Sequence, residues 1–404
     1  MVYELKRQPF RALALALTVP VTAFVVVPFW CIWYIPSFNR PRKTWRWWQC
    51  VELCLIRNFA DLGRVPEKLG PLIAGPTAAA KDPKTKSVWV DPVPKFILGN
   101  IKKYAEINKV EPARIPGYWY DRKGHSVPVG EKAQANEKVL YYCHGGGYVA
   151  LTAHPSGIYN YMINRLTQCH SDVERTFAIE YRLTTGPPDA TSAAFPAALM
   201  DALAGYVYLI KELGFKPENI IVGGDSAGAN LALALVRYLV ELGRTPETPE
   251  PIPIPSGLLL ISPWCDLGTS HETPTGSYKA NAPSDYLLPS DSGLLLHARK
   301  LFIKDLGFPF AGDSNPYISS GSAHPEMSGI SFKEFPKTLI TCGGGETLYD
   351  MIYTLKNKMV GELGAEWVKF VEGKDAPHDF LLLQSWDVVS DPVYEVIGEW
   401  MEAL

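Results

Sequence analysis

The longest run of apolar positions lies near the amino terminus. Residues 12–36 contain no charged residue, and about 20 apolar residues in a helix are enough to cross a bilayer. A cleaved signal peptide or a buried hairpin would have a similar composition, but the run is long for a signal-peptide core and no small-x-small cleavage site ends it. We therefore expect residues 1–40 to form an uncleaved membrane anchor that contacts the bilayer through residues 12–36. Basic residues lie on both sides of the run, so the charge pattern leaves its orientation open.

The next segment, residues 45–62, has the period of an amphipathic helix. Trp48, Val51 and Leu55 recur on one side at helical spacing, whereas Arg57 is expected to face water. Such a helix could lie on a membrane surface or cover the mouth of an active site. We expect irregular structure at 66–95, which is rich in proline, glycine and alanine, and a short helix at 97–107.

From residue 117 onward, short apolar runs alternate with helical patterns. This alternation is typical of an α/β fold with a mostly parallel central sheet and helices on both faces. A hairpin is expected from 117–120 and 125–129. Buried strands are expected at 138–143, 176–181, 220–222, 256–263, 337–341 and 367–371, with helices at 195–213, from residue 226 to 243, and at 292–306.

Composition narrows the function. The chain of 404 residues is 47% hydrophobic and 20% charged, with a net charge of −3, so nothing in it indicates a nucleic-acid partner. Its seven cysteines are an odd number and contain no C-x-x-C pair. The sequence therefore predicts no disulfide framework and no metal site.

A strand–turn–helix pattern surrounds Gly224-x-Ser226-x-Gly228. In a nucleophile elbow, a serine occupies a strained turn between a strand and a helix, and glycine fits the crowded flanking positions. The turn also puts the backbone N–H of Ala227 at the positive end of the helix, where it can stabilise an oxyanion. We interpret Ser226 as a candidate nucleophile.

Three glycines follow the strand at 138–143, with His144 between the strand and the first of them. Gly145, Gly146 and Gly147 match neither the phosphate-binding nor the dinucleotide-binding spacing. Because glycine lets the backbone approach a reacting carbonyl closely, the run is better explained as an oxyanion loop. His144 would then brace this loop instead of acting as a base.

A serine nucleophile needs a base and a carboxylate that orients the base. His378 follows the last predicted strand, on the sheet edge where the serine turn lies. Two carboxylates compete for the acid. Glu346 lies in the turn after the strand at 337–341, and Asp350 lies one helical turn further on. We favour Glu346, because Asp350 also suits a structural place in the first turn of a helix.

Together these motifs resemble the hormone-sensitive-lipase branch of the α/β-hydrolases. His144-Gly145-Gly146-Gly147 is similar to its H-G-G-G motif and residues 224–228 to its G-D-S-A-G. Tyr181-Arg182-Leu183, the F-P-A run from Phe195, Ser262-Pro263-Trp264 and His378-x-Phe380 also fit. The resemblance implies that Ser226 is the nucleophile and His378 the base, with oxyanion donors at Gly146, Gly147 and Ala227. The acid motif departs from the usual D-x-L-x-D, since Glu346 stands at its first position.

The resemblance also implies a lid formed by residues 41–116 and by an insertion at about 264–332, on a catalytic domain at 117–404. The combination of an N-terminal anchor with such a domain resembles that of the fungal steryl acetyl hydrolases and animal arylacetamide deacetylases of the endoplasmic reticulum. We therefore expect a membrane-bound serine esterase, without cofactor, that removes a short acyl group from a hydrophobic alcohol such as a sterol or terpenoid.

Three other functions are compatible with this sequence. An acyltransferase or an amidase could use the same residues. A non-catalytic small-molecule receptor is a weaker alternative, because receptors on this fold tend to lose the histidine that His378 supplies.

Overall fold

A mostly parallel sheet of eight strands forms the centre of the protein. The computed structural model describes residues 10–63, 85–184, 193–287 and 294–404. The strands are β1 (Ser87–Val90), β2 (Ile115–Asp121), β3 (Lys138–Cys143), β4 (Val173–Ile179), β5 (Ile220–Asp225), β6 (Gly257–Ile261), β7 (Lys337–Gly343) and β8 (Val368–Gly373), in the order β1-β2-β4-β3-β5-β6-β7-β8. β2 pairs antiparallel with β1 and β4, and all other pairs are parallel. This sheet confirms the predicted fold class.

Helices cover both faces of the sheet, and two separate apolar cores lie against it. From residue 85 onward, the described helices of nine or more residues are α4 (Gly99–Asn108), α5 (Asn160–Gln168), α6 (Ala197–Val207), α7 (Ser226–Arg244), α8 (Leu294–Ile303), α9 (Tyr349–Leu363) and α10 (Asp387–Glu402). They follow α1 (Phe10–Val21), α2 (Val27–Trp33) and α3 (Trp47–Gly63), with a π-helical turn at Thr22–Val26 between α1 and α2. A π-helical turn at Tyr208–Glu212 extends α6.

The expected hairpin at 117–129 is wrong. Residues 117–120 belong to β2, which pairs with β1 through Ser87↔Tyr118 and with β4 through Gly117↔Ile179. Residues 125–129 form no strand. The irregular segment expected at 66–95 contains β1, which the sequence reasoning missed; residues 66–84 of that segment lie outside the described part of the chain.

The first helices present apolar side chains outward. Residues Ala16–Trp33 are long and apolar enough to cross a membrane, and none of this segment is buried inside the protein. Phe24 and Ile32 are more than two-thirds exposed. A signal sequence would meet the same criteria of length and composition.

A short connection, residues 34–46, joins α2 to the rest of the protein. The Arg40 guanidinium donates to the carbonyl oxygens of Tyr34 at 2.9 Å and Trp45 at 2.8 Å. The buried Trp45 indole packs edge-on against Trp386, and its N–H donates to the carbonyl oxygen of Asp375 at 2.8 Å. Arg40 therefore bonds the two ends of the connection to each other, and Trp45 bonds it to the loop after β8.

The face of α3 that packs on the protein differs from the predicted one. Cys50 and Leu53 are buried together with Val51, whereas Trp48 is 41% exposed. The Arg57 side chain does not face water, because its Nε donates to the carbonyl oxygen of Asp285 at 2.8 Å. Bonds between polar side chains of α3 and loop backbone, which helical spacing does not reveal, set this orientation.

Candidate active site

Ser226 lies at the turn between β5 and α7, at the centre of the sheet. Its φ of +50° is unusual for a residue with a Cβ and marks the strain typical of a nucleophile elbow. A Cβ at Gly228 would lie 2.0 Å from the carbonyl oxygen of Cys143, and one at Gly224 would lie 2.5 Å from the same atom. Glycine at both positions therefore lets the turn pack directly against the end of β3.

The glycine loop after β3 lies beside this turn, because β3 and β5 are neighbours in register Cys143↔Gly224. Gly146 and Gly147 have φ values of +107° and +63°. In the described part of the chain, their N–H groups donate no hydrogen bond, and both residues line the same cavity as Ser226. The N–H of Ala227 belongs to the first turn of α7, where helical N–H groups have no intrahelical acceptor.

The carboxylate of Asp225 joins the elbow to the glycine loop. Its Oδ1 accepts the N–H of Gly145 at 3.0 Å and the hydroxyl of Tyr142 at 2.6 Å. Its Oδ2 accepts the hydroxyl of Tyr159 at 2.9 Å. Burial and then the charge of Asp379 raise the pKa of Asp225 well above its ordinary value. In the sequence, Asp225 is visible only as the second residue of the G-D-S-A-G motif, although its place next to the serine is a signal.

His144 is buried under the glycine loop. Its Nδ1 lies 2.7 Å from the carbonyl oxygen of Gly145, and its ring stacks on Tyr181 at 4.4 Å between centroids. Burial lowers the pKa of His144 to about 4, so the ring is neutral at physiological pH. These contacts are those of a residue that supports the loop.

His378 and Glu346 lie side by side at the carboxyl edge of the sheet. Nδ1 of His378 is 3.1 Å from Oε2 of Glu346, and both side chains are buried. Asp350 lies elsewhere, since its Oδ2 accepts the N–H of Ser277 at 2.7 Å. Of the two candidate acids, the structure brings Glu346 to the histidine.

Asp285, which the sequence reasoning missed, holds the two loops together. Its Oδ2 accepts the N–H of Thr347 at 2.6 Å, and its Oδ1 accepts the N–H of His378 at 3.3 Å. It comes from the insertion between β6 and β7, so no local motif connects it to either loop. Its position depends on the tertiary fold.

The second ring nitrogen of His378 has a partner other than Ser226. Nε2 lies 3.1 Å from Oδ2 of Asp379, and among the described residues no hydrogen bond joins His378 to the Ser226 hydroxyl. Burial alone lowers the pKa of His378, but the carboxylates of Asp379 and Glu346 outweigh it and raise the pKa well above the ordinary value.

A cavity of about 820 Å³ opens onto Ser226 and His378. Its wall combines α3, the glycine loop, the insertion before β7 and the segment after His378. The apolar members of this wall include Ile56, Val149, Leu151, Ile158, Trp264, Leu287, Leu295, Leu382 and Leu383, and polar members include Glu52, Arg57 and Gln384. In the described residues, no group of three or more His, Cys, Asp or Glu is arranged to hold a metal ion.

Known proteins share this sequence and fold. The family model described as the alpha/beta hydrolase fold matches residues 140–382. An acetyl-hydrolase of Streptomyces hygroscopicus is 30% identical over 263 residues, which cover 60% of this chain and 73% of the relative. The steryl acetyl hydrolase 1 of Saccharomyces cerevisiae is 31% identical over 137 residues, or 34% of this chain and 28% of that protein.

Solved structures agree with the sequence comparison. The crystal structure of a hormone-sensitive lipase from a metagenome library is 26% identical, with a TM-score of 0.51, and the match covers 71% of this chain and 82% of that one. The family match spans the sheet from β3 to β8, together with the turn of Ser226 and the loop of His378. The chain therefore belongs to the α/β-hydrolase family, in the branch that the hormone-sensitive lipases represent.

Proposed function

We propose that the protein is a serine esterase that hydrolyses a carboxylic ester of a hydrophobic alcohol. The observation that carries this proposal is the position of Ser226, on a strained turn at a cavity shared with Gly146, Gly147 and His378, which pairs with Glu346. Within the described residues, the N–H groups of these two glycines donate no hydrogen bond. Relatives named esterase and acetyl-hydrolase support the same reaction.

The proposed reaction has two stages. Nε2 of His378 takes the proton of the Ser226 hydroxyl while the oxygen attacks the acyl carbon, and N–H groups of Gly146, Gly147 and Ala227 bind the resulting oxyanion. Collapse of this intermediate breaks the ester bond, and His378 protonates the departing alcohol. Water then attacks the acyl-enzyme with His378 as base, which releases the acid and restores Ser226.

The cavity supports the substrate class. A volume of about 820 Å³ lies in the range of pockets that bury a ligand of drug size, and the wall is mainly apolar. A sterol or terpenoid ester with a short acyl group such as acetyl fits this chemistry. No group that could bind a charged headgroup or phosphate is needed for such a substrate.

We also propose that α1 and α2 anchor the enzyme in a membrane, most simply that of the endoplasmic reticulum. The exposed apolar surface from residue 16 to 33 supports this location. Extraction of the full-length protein at alkaline pH tests it. An intact protein in the membrane pellet is expected, whereas a soluble protein that has lost its first residues would indicate a cleaved signal.

Ester profiling tests the reaction. p-Nitrophenyl esters from acetyl to decanoyl, steryl acetates and matched anilides are offered to the wild type, to Ser226→Ala and to Ser171→Ala, a control at an exposed serine. We expect ester hydrolysis in the wild type and in the control and none in Ser226→Ala. Full activity of Ser226→Ala would exclude the mechanism. Preference for anilides would indicate an amidase, and product formed only with an added alcohol would indicate an acyltransferase.

A further inference from the structure

The imidazole of His378 contacts a carboxylate at each of its two nitrogens. Oε2 of Glu346 lies 3.1 Å from Nδ1, and Oδ2 of Asp379 lies 3.1 Å from Nε2. A neutral imidazole can donate only one hydrogen bond, whereas an imidazolium donates two. Contact with two carboxylates therefore favours the protonated ring.

The backbone fixes the direction of the Asp379 side chain. Asp379 has a φ of +47°, in the left-handed region that aspartate and asparagine tolerate better than most residues. Its N–H donates to Oγ of Ser262 at 3.2 Å, and its carbonyl oxygen accepts the N–H of Leu382 at 2.8 Å. The residue is 3% exposed, so the carboxylate is held against the ring with little contact with solvent.

The other groups around His378 are either carboxyl groups, like Glu346 and Asp379, or uncharged. Oδ1 of Asp285 accepts the His378 backbone N–H from the insertion, and the ring of Tyr286 packs edge-on at 5.6 Å. Asp225 at the end of β5 also interacts electrostatically with His378. Among the described neighbours, Asp379 is the carboxylate at Nε2, the nitrogen that must accept the serine proton.

We propose that Asp379 is a positioning residue that competes with Ser226 for Nε2 of His378, so that before substrate binds the imidazole is charged and bonded to Asp379 instead of to the Ser226 hydroxyl. The proposal rests on the esterase reaction proposed above. His378 becomes a base only after Nε2 loses its proton and turns its lone pair to Ser226. The carboxylate of Asp379 therefore places the onset of activity at a higher pH than Glu346 alone would.

The test is the pH dependence of Ser226 reactivity toward a small fluorophosphonate and of kcat/KM for a p-nitrophenyl ester. Asp379→Asn keeps the size and tolerates the same φ, but it removes the charge. An opposite charge at this distance shifts a pKa by about one to three units. We expect the midpoint of the rising limb to move down by about that amount in Asp379→Asn. Asp391→Asn, at an exposed carboxylate paired with Arg165, is the matched control and should keep the wild-type midpoint.

An unchanged midpoint in folded Asp379→Asn would overturn the proposal, even if its activity were lower, because a merely structural role would not move the profile. Asp379→Gly is the second variant, since glycine also accepts this φ. If neither variant folds, the wild type alone decides: its midpoint must lie above the ordinary histidine pKa of about 6.5, and a midpoint at or below it would overturn the proposal. Loss of fluorophosphonate labelling in Ser226→Ala supports Ser226 as the nucleophile at any value of the midpoint. The esterase proposal and the proposal for Asp379 can therefore fail separately.

Discussion

Oε2 of Glu346 lies 3.1 Å from Nδ1 of His378, and this contact links the turn after β7 to the loop after β8. The adjacent register of the two strands, Gly343↔Gly373, brings the two loops together. A Cβ atom at Gly343 would lie 2.3 Å from the carbonyl oxygen of Ala376. The glycines of the acid turn therefore allow the close approach that the contact requires.

Replacement of Glu346 by glutamine should separate the two candidate acids. We expect kcat of Glu346→Gln to fall by about 10³- to 10⁴-fold, because the amide no longer stabilises the imidazolium or its tautomer. Asp350→Asn keeps an acceptor for the N–H of Ser277 and should lose only about 0.3–1 kcal/mol of stability, from the charge near a helix N-terminus. Steady-state kinetics and urea unfolding measure the two effects. A loss of turnover confined to folded Asp350→Asn would show that the acid is assigned wrongly.

The oxyanion loop should tolerate no side chain at its second glycine. A Cβ at Gly146 would lie 2.1 Å from the carbonyl oxygen of Ala150, so alanine must displace the loop. We expect kcat of Gly146→Ala to fall by about 10²- to 10³-fold, the usual cost of losing an oxyanion donor.

Gly130 supplies the matched control for that substitution. Its φ of +83° is also positive, but a Cβ there meets no atom within 4 Å. Gly130→Ala should cost about 1–2 kcal/mol of stability through backbone strain and leave kcat unchanged. Equal losses of kcat in the two variants would contradict the oxyanion role.

Arg57 should control how the cavity binds large substrates. Its guanidinium holds α3 to the insertion through the carbonyl oxygens of Asp285 at 2.8 Å and Pro283 at 3.0 Å. In Arg57→Met we expect about 2 kcal/mol of stability to be lost with these charged hydrogen bonds, and KM to rise more for steryl acetate than for p-nitrophenyl acetate. Arg46→Met, at an exposed arginine directly before the same helix and over the Trp48 ring, serves as the control. Equal KM changes for both esters would contradict the prediction.

His144 should weaken the fold in acid. Its folded pKa is about 4 and its unfolded pKa about 6.5, so between these values the unfolded state binds more protons. The stability therefore falls as the pH drops through this window, by about 3 kcal/mol from this group. His144→Asn lacks that titration, so its stability deficit relative to the wild type should shrink by about this amount between pH 7 and pH 4. Urea unfolding across the range measures it, and a constant deficit would contradict the neutral ring.

Local sequence patterns are sufficient to predict much of the sheet. The strand–turn–helix at residue 220 onward, the glycine loop and the strands that follow are encoded by contiguous apolar runs, and the structure has all of them. The sequence does not predict β1, because this strand has only four residues and follows a proline-rich segment. Its stability comes from pairing with β2, whose residues lie about 30 positions further along the chain. Pairing of β2 with β4 likewise replaced the expected hairpin.

The residues of the site also divide into those that local motifs predict and those that only the tertiary fold places. Residues carried by motifs, such as Ser226 and His378, could be named from sequence. Asp285 and Asp379 could not be assigned, because their effect depends on which atoms the fold brings within hydrogen-bond distance. Asp379 stands directly beside His378 in the chain, yet only the backbone conformation at φ +47° turns its carboxylate toward Nε2.

The connection between α2 and α3 has a consequence for how substrate is sampled. Hydrogen bonds of Arg40 and Trp45 hold this connection at both ends and make it rigid. The helix that follows it, α3, forms part of the cavity wall. With α1 and α2 in a bilayer, as proposed, the enzyme would be held at a fixed height above the lipid. Turnover would then follow the mole fraction of ester in the membrane, and diluting the same ester into more lipid would slow the enzyme even at constant total concentration.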